Sequence, residues 1–332
     1  MAQDDLLMPV PLPPVAQEGL AKSFRLVKLW EASDREAALA AIAPHLRFIA
    51  TGVPILTEGV SHPIDAAFLA RFPKLELVAN LGVGYDNIDI DACAARAVVV
   101  TNTPDVLTEE TADTAFGLLL CAVRQFPQAD RFLRRGDWLK GAFPLTASLR
   151  GRTMGIVGLG RIGRAIAIRG EAFGLKIAYH GRRPQADAPW PYYERLEDMA
   201  RACDILMVAT PGGPATRNLI DARILDALGP QGILVNIARG SVVDEPALIA
   251  ALRDRRILTA GLDVFAGEPD VPAELVAMDH VVLLPHVGSA SHVTRDAMSA
   301  LVVENVLSYA AGKGPVTPVA ETPWSPGAQT AQ

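Results

Sequence analysis

Residues 153–163 read Thr153-Met154-Gly155-Ile156-Val157-Gly158-Leu159-Gly160-Arg161-Ile162-Gly163. A short apolar run, glycines spaced GxGxxG and the helix-like stretch Arg161–Phe173 follow one another without interruption. At this spacing each glycine has its own physical task. Gly158 permits a tight turn out of a strand, Gly160 lets a pyrophosphate approach the backbone, and Gly163 lets helix and strand pack closely. Arg161 and Ile162 open the helix, whose free N–H groups and partial positive charge suit phosphate. The stretch is a predicted strand–turn–helix site for a dinucleotide.

Outward from this motif, further strands are predicted at Lys176–His180, Ile205–Ala209, Gly232–Asn236, Leu258–Gly261 and Val281–Leu284. With Thr153–Gly158 and the helices between, they describe a whole dinucleotide-binding sheet. Upstream, the apolar runs Phe24–Trp30, Arg47–Thr51, Leu75–Leu81 and Val98–Asn102 alternate with segments rich in Ala, Leu, Glu and Arg. That alternation points to a second set of βαβ units. Thr108–Gln125 reads as a long helix, with Thr108 placed to cap it and Glu109 and Glu110 in its first turn. The helical stretch Ser291–Ala311 lies beyond the second sheet and is expected to return to the first domain. The fold class is therefore α/β, with two doubly wound parallel-sheet (Rossmann-like) domains, the first discontinuous. The expected division is 1–101 with 288–332 for a substrate-binding domain and 102–287 for a dinucleotide-binding domain. Residues 1–20, with Pro9, Pro11, Pro13 and Pro14, read as a loose arm, and Pro315–Gln332 as a tail.

Composition narrows the function classes. A chain of 332 residues, half hydrophobic and one fifth charged, is globular and long enough for two domains. A net charge of −6 favours neither nucleic acid nor an anionic membrane as partner. Cys93, Cys121 and Cys203 form no CxxC pair, which argues against a disulfide framework or a metal site and for a reducing compartment. The longest apolar run, Ala115–Val123, is about half the length of a membrane helix. The N-terminus lacks the basic start and apolar core of a signal peptide. A cytoplasmic protein is expected.

Two features refine the chemistry. A site for NAD normally ends its second strand on Asp or Glu, which bonds the ribose 2′-hydroxyl. Here that strand ends Tyr179-His180-Gly181-Arg182-Arg183. Paired guanidiniums in place of a carboxylate suit a 2′-phosphate, so NADP(H) is expected, with NAD(H) a weaker substitute. The second feature is a set of polar residues at or just beyond predicted strand ends, where open α/β sheets hold ligands. They are Arg239 in Asn236-Ile237-Ala238-Arg239-Gly240, Glu268 in Phe265-Ala266-Gly267-Glu268-Pro269, and His286 in Leu284-Pro285-His286-Val287-Gly288. Reducing a keto acid requires a cation for the carboxylate and ketone, which Arg239 supplies bidentately. It also requires a proton donor still protonated near neutrality. His286 suits that role, and a neighbouring carboxylate, Glu268, would favour its imidazolium form.

The segments Asn102–Leu120, Gly151–Pro184, Leu234–Leu252 and Gly261–Ser289 resemble the D-isomer-specific 2-hydroxyacid dehydrogenase family. Pro104-Asp105-Val106-Leu107-Thr108 and Leu283-Leu284-Pro285-His286-Val287-Gly288-Ser289 resemble its NADPH-dependent glyoxylate/hydroxypyruvate reductases and plant hydroxyphenylpyruvate reductases. The resemblance implies Arg239, Glu268 and His286 as the catalytic set. It implies that the backbone of Val83 and Gly84 accepts the substrate carboxylate, and that Asp263 lies near the nicotinamide amide. Thr108, Thr210, Pro211, Ile237, Ala238 and Gly288 would line the cofactor with the residues already named. A homodimer, built partly through Thr108–Gln125, is implied too, and Trp138 resembles a residue that reaches the partner's site in some members. Phosphoglycerate dehydrogenase is disfavoured by the missing ribose acid and by length. Formate dehydrogenase is disfavoured because those relatives carry Gln where Glu268 stands. A nicotinamide-sensing corepressor is the alternative from another class. Choice among glyoxylate, hydroxypyruvate, pyruvate and larger aryl-pyruvates is expected to depend partly on the loop Thr51–Leu56.

Overall fold

A strand covered by helices on both faces reads as an unbroken apolar run, and the chain uses that rule in each of two units. The structure, a computed structural model, describes residues 3–52 and 63–325. The units are Met1–Leu107 with Ser291–Gln332, and Thr108–Ala290. Both breaks fall where a long helix begins, a few residues beyond the 101 and 287 expected from the sequence.

The first unit runs β1 (Asp4–Met8), α1 (Pro14–Ala21), β2 (Phe24–Lys28), α2 (Arg35–Ile42), β3 (Phe48–Gly52), α3 (Ala66–Ala70), β4 (Leu77–Leu81), α4 (Ile90–Ala95) and β5 (Val99–Thr101). Its strands are all parallel, in the order β2-β1-β3-β4-β5. Asp34, Asp65 and Asp89 cap α2, α3 and α4 by accepting an N–H from the first turn.

The second unit runs α5 (Thr108–Arg124), α6 (Phe126–Arg134), β6 (Thr153–Val157), α7 (Arg161–Ala172), β7 (Lys176–His180), β8 (Tyr192–Tyr193) and α8 (Leu196–Ala202). It continues through β9 (Ile205–Val208), α9 (Ala222–Leu228), β10 (Ile233–Asn236), α10 (Glu245–Arg253), β11 (Thr259–Leu262), α11 (Ala273–Ala277) and β12 (Val282–Leu283). The seven strands lie parallel in the order β12-β11-β10-β9-β6-β7-β8. Side-chain alternation explains the double cover. Leu206 and Val208 of β9 join one hydrophobic core, while Ile205 and Met207 join the other. The chain then returns to the first unit as α12 (His292–Ala310), capped by Ser291 and packed on α1 and β4.

Two sequence expectations are corrected. The expected loose arm over 1–20 is not one over its described residues, 3–20, because β1 is an inner strand with Leu6, Leu7 and Met8 fully buried. The prolines misled the reading: Pro14 sits in the first turn of α1, where its missing N–H costs nothing. Nor is the segment after Pro315 a free tail over its described length. Val319 N–H donates to Val100 O, and Val100 N–H donates to Thr322 Oγ1, both at 2.9 Å. The segment thereby covers the edge strand β5, whose backbone groups would otherwise be unpaired. Thr51 and Gly52 end β3, and residues 53–56 of the loop expected to shape substrate choice lie outside the described residues.

Candidate active site

The order of the seven-stranded sheet reverses between β6 and β9, and an open α/β sheet binds its ligand beyond the strand ends at that switch. Gly158, directly after β6, has φ +97°. A Cβ there would lie 2.8 Å from Thr210 Cα and N, so only glycine allows the loops after β6 and β9 to meet. A Cβ on Gly163 would stand 2.2 Å from Gly158 O, which explains the third glycine. Gly160 differs: a Cβ there would meet nothing within 4 Å, and the residue caps α7 without a side-chain hydrogen bond. That is open space at a helix N-terminus. Ile162 is half-buried and Arg161 exposed at the same end.

Beyond β7, Arg182 and Arg183 are exposed, and neither makes an ion pair among the described residues. His180 is half-buried, its Nδ1 3.0 Å from Tyr193 O. After β9, Pro211 O accepts from Thr216 Oγ1 at 2.7 Å, which folds that loop on itself. Thr108 is half-buried at the first position of α5.

The strand register gathers the remaining residues. Asn236 pairs with Leu262, and Leu262 with Leu283, so β10, β11 and β12 end level with one another. Arg239, Asp263 and His286 therefore leave the sheet along one edge. Arg239 is half-buried, and its Nη1 donates to Ala238 O at 2.8 Å. Its turn is tied by Asn236, whose Nδ2 donates to Arg239 O and whose Oδ1 accepts from Ala238 N–H, both at 3.0 Å. Ile237 and Ala238, inside that turn, are buried.

The loop after β11 packs against this turn. A Cβ on Gly240 would fall 1.9 Å from Phe265 C and 2.0 Å from Phe265 O. Phe265 N–H in turn donates to Glu268 Oε1 at 2.9 Å. Glu268 Oε2 lies 2.8 Å from His286 Nδ1. With Nδ1–H donated to the carboxylate, Nε2 is left to exchange a proton. His286 has φ +54°, a left-handed conformation that costs a non-glycine residue about 1–3 kcal/mol. Asp263 holds it there: Oδ1 accepts from Val287 N–H at 2.7 Å and Oδ2 from Gly288 N–H at 2.8 Å. Burial pushes the Asp263 carboxyl above its ordinary range, while those two N–H groups and nearby His286 pull it down. Both its oxygens serve the backbone that carries His286, a role the sequence reading did not foresee. Asn236 and Gly240 were also missed. An Asn at the end of an apolar strand, free to bond its own backbone, was the available signal.

Val83 and Gly84 follow β4 in the first unit, half-buried. Trp138 is 68% exposed, and the apolar face of α5, with Ala112, Ala115, Leu118 and Leu119, is buried within its own unit. Among the described residues no cluster of His, Cys, Asp and Glu could hold a metal ion, and no helix is long and apolar enough to cross a membrane.

Comparison with known proteins agrees with this layout. Residues 116–288 match the D-isomer specific 2-hydroxyacid dehydrogenase, NAD binding domain model. The chain is 42% identical over 314 residues to glyoxylate/hydroxypyruvate reductase A of Arabidopsis thaliana, covering 95% of this chain and 98% of that one. It is equally 42% identical over 314 residues to hydroxyphenylpyruvate reductase of Plectranthus scutellarioides, with the same coverage. Among solved structures, an NADPH-dependent glyoxylate/hydroxypyruvate reductase from Sinorhizobium meliloti, in complex with NADP and malonate, is 48% identical with a TM-score of 0.89. That likeness covers 97% of this chain and 98% of the other.

Proposed function

The chain belongs to the D-isomer-specific 2-hydroxyacid dehydrogenase family, and on that premise we propose that it reduces small 2-keto acids, glyoxylate and hydroxypyruvate foremost, with NADPH. The observation that carries this reading is the Glu268–His286 contact of 2.8 Å, set on the same sheet edge as Arg239.

The residues present fit a dinucleotide. Gly158 and Gly163 make the turn that only glycines allow, Gly160 leaves room at the start of α7, and Thr210 meets Gly158 across the switch point. Arg182 and Arg183 are the groups to clamp a 2′-phosphate, a preference for NADPH with NADH as the weaker substitute. His180, Pro211, Ile237, Ala238, Thr108 and Gly288 complete the proposed cofactor contacts, and Asp263 acts near the nicotinamide through the backbone it holds. A reduced nicotinamide, when bound, supplies the hydride. Everything else is the work of the chain's own groups. Arg239 draws charge toward the carbonyl oxygen and anchors the carboxylate. In the first unit, Val83 and Gly84 offer backbone N–H groups suited to a substrate carboxylate. His286 Nε2 then gives its proton to the carbonyl oxygen as negative charge develops there. The Glu268 carboxylate fixes the ring through Nδ1 and so leaves Nε2 for the transfer.

Equal identity to the Plectranthus scutellarioides enzyme supports hydroxyphenylpyruvate as a second substrate reading. A homodimer is supported by Phe126, Leu133, Trp138 and Leu139, large apolar side chains exposed on α6 and just after it. Three free cysteines support a reducing, cytoplasmic setting. The decisive experiment follows NADPH and NADH consumption with glyoxylate, hydroxypyruvate and hydroxyphenylpyruvate. Turnover of a small keto acid with NADPH preferred is expected. Binding of nicotinamide without turnover of any keto acid would instead favour a corepressor-like protein.

A further inference from the structure

Three successive carbonyls in the loop after β4 are held by groups of their own unit. Gly82 O accepts from Thr103 N–H at 2.9 Å, Val83 O from Asn102 Nδ2 at 2.9 Å, and Gly84 O from Asn80 Nδ2 at 3.0 Å. Gly82 N–H also donates to Thr103 Oγ1 at 3.0 Å, and its φ of +148° is one that glycine adopts freely. In a planar trans peptide the N–H points opposite to the C=O. Pinning these carbonyls therefore turns the N–H groups of Val83, Gly84 and Tyr85 away from Thr103, Asn102 and Asn80. Among the described residues these three N–H groups make no hydrogen bond. A run of unpaired backbone N–H groups is an anion-binding concavity.

The pins are themselves braced. Asn80 is fully buried, and its Oδ1 has no partner. An apolar residue of similar size would avoid that unpaired acceptor, so the contribution of Asn80 lies in its donor. Asn102 is held by the C-terminal segment: Thr317 Oγ1 donates to Asn102 O at 2.7 Å, and Asn102 N–H to Thr317 O at 3.3 Å. Fully buried Asn305 of α12 accepts from the N–H groups of Val316 and Thr317, both at 2.9 Å, and donates to Thr317 Oγ1 at 2.9 Å. One polar chain thus runs from Asn305 through Thr317 and Asn102 to the Val83 carbonyl.

We propose that Asn102 and Asn80 are positioning residues that aim the Val83 and Gly84 N–H groups at the substrate carboxylate, with Thr317 as the brace behind Asn102. The inference rests on the reading of the chain as a 2-keto acid reductase. Because an aimed carboxylate site contributes equally to ground and transition states, its loss should appear in KM and leave kcat.

The test compares wild type with Asn102→Ala and Thr317→Val, measuring glyoxylate kinetics at saturating NADPH, malonate inhibition and thermal melting. For Asn102→Ala the glyoxylate KM and the malonate Ki should rise together, roughly three- to tenfold, the value of one hydrogen bond. The kcat and the NADPH KM should stay near wild type. Thr317→Val keeps the shape and removes the hydroxyl, so it should move the same two constants in the same direction by less. An unchanged glyoxylate KM in folded Asn102→Ala overturns the proposal, as does an equal fall in kcat. If Asn102→Ala does not fold, Thr317→Val decides by the same two constants. A wild type that reduces no 2-keto acid refutes the functional reading beneath it. Active wild type with unaltered variants refutes the positioning alone.

Discussion

Replacing Gly240 with alanine should disable the site while sparing the cofactor cradle. The new methyl would stand 1.9 Å from Phe265 C and 2.3 Å from Ala266 N. Carbon atoms in contact settle about 3.5–4.0 Å apart, so the two loops must separate by roughly 1.5–2 Å. One of them carries Arg239, and the other carries Glu268 through the Phe265 N–H bond of 2.9 Å. A misplacement of about 1 Å in a catalytic group costs on the order of a hundredfold in rate, near 2.7 kcal/mol of barrier. We therefore expect kcat/KM for glyoxylate to fall by about a hundredfold or more, with about 1–3 kcal/mol of stability lost to overpacking. NADPH affinity, read by fluorescence titration, should fall far less, since Gly158, Gly160 and Gly163 lie elsewhere and only the Ile237 and Ala238 contacts share the displaced turn. The assay is steady-state kinetics beside a urea unfolding curve. A folded Gly240→Ala enzyme with near wild-type kcat/KM would refute the claim that the two loops share one fixed geometry.

Gly160→Ala makes the opposite separation. Its methyl meets no protein atom within 4 Å, so the melting temperature should be unchanged. NADPH should nevertheless bind more weakly, because that space is the one proposed for pyrophosphate; unaltered NADPH affinity by titration would count against it. Arg182→Ala with Arg183→Ala should raise the NADPH KM by roughly tenfold or more per lost charge-assisted bond and leave the NADH KM nearly constant. Equal losses with both cofactors would remove the 2′-phosphate clamp.

Local patterns were legible in the sequence, and long-range approach was not. GxGxxG after an apolar run located β6 and α7 because glycine spacing and helix onset are both local. The other strands of the second unit were visible as apolar runs because both faces of that sheet are buried. The two-residue β8 was too short to leave such a run. β1 was hidden because Asp4 and Asp5 precede its apolar core and prolines follow it. Asp5 is tolerated there because Arg25 and His45 both bond its carboxylate. Arg239, Glu268 and His286 could be chosen by residue type and position after strands, yet nothing local told that Glu268 meets His286. Gly240 looked like any turn glycine, since its constraint is the distant Phe265 backbone. Asp263 was assigned toward the nicotinamide by resemblance, whereas its contacts with Val287 and Gly288 depend on the level ends of β11 and β12. Hydrogen bonds from Asn80 and Asn102 to a loop carbonyl leave no periodic trace at all.

The central claim is that His286, supported by Glu268, is the proton donor in keto acid reduction. The most direct measurement is the kcat of glyoxylate reduction in wild type, His286→Ala and Glu268→Gln, beside NADPH affinity by titration. Reduction takes a proton from Nε2, so removing the imidazole should depress turnover while the dinucleotide, held elsewhere, still binds. Gln keeps the size at the position 2.8 Å from Nδ1 and removes the carboxylate oxygen that fixes the ring. The kcat of His286→Ala is expected to fall by about 10²–10⁴-fold, that of Glu268→Gln by less, with NADPH affinity near wild type in both. A folded His286→Ala enzyme with near wild-type kcat would contradict the claim.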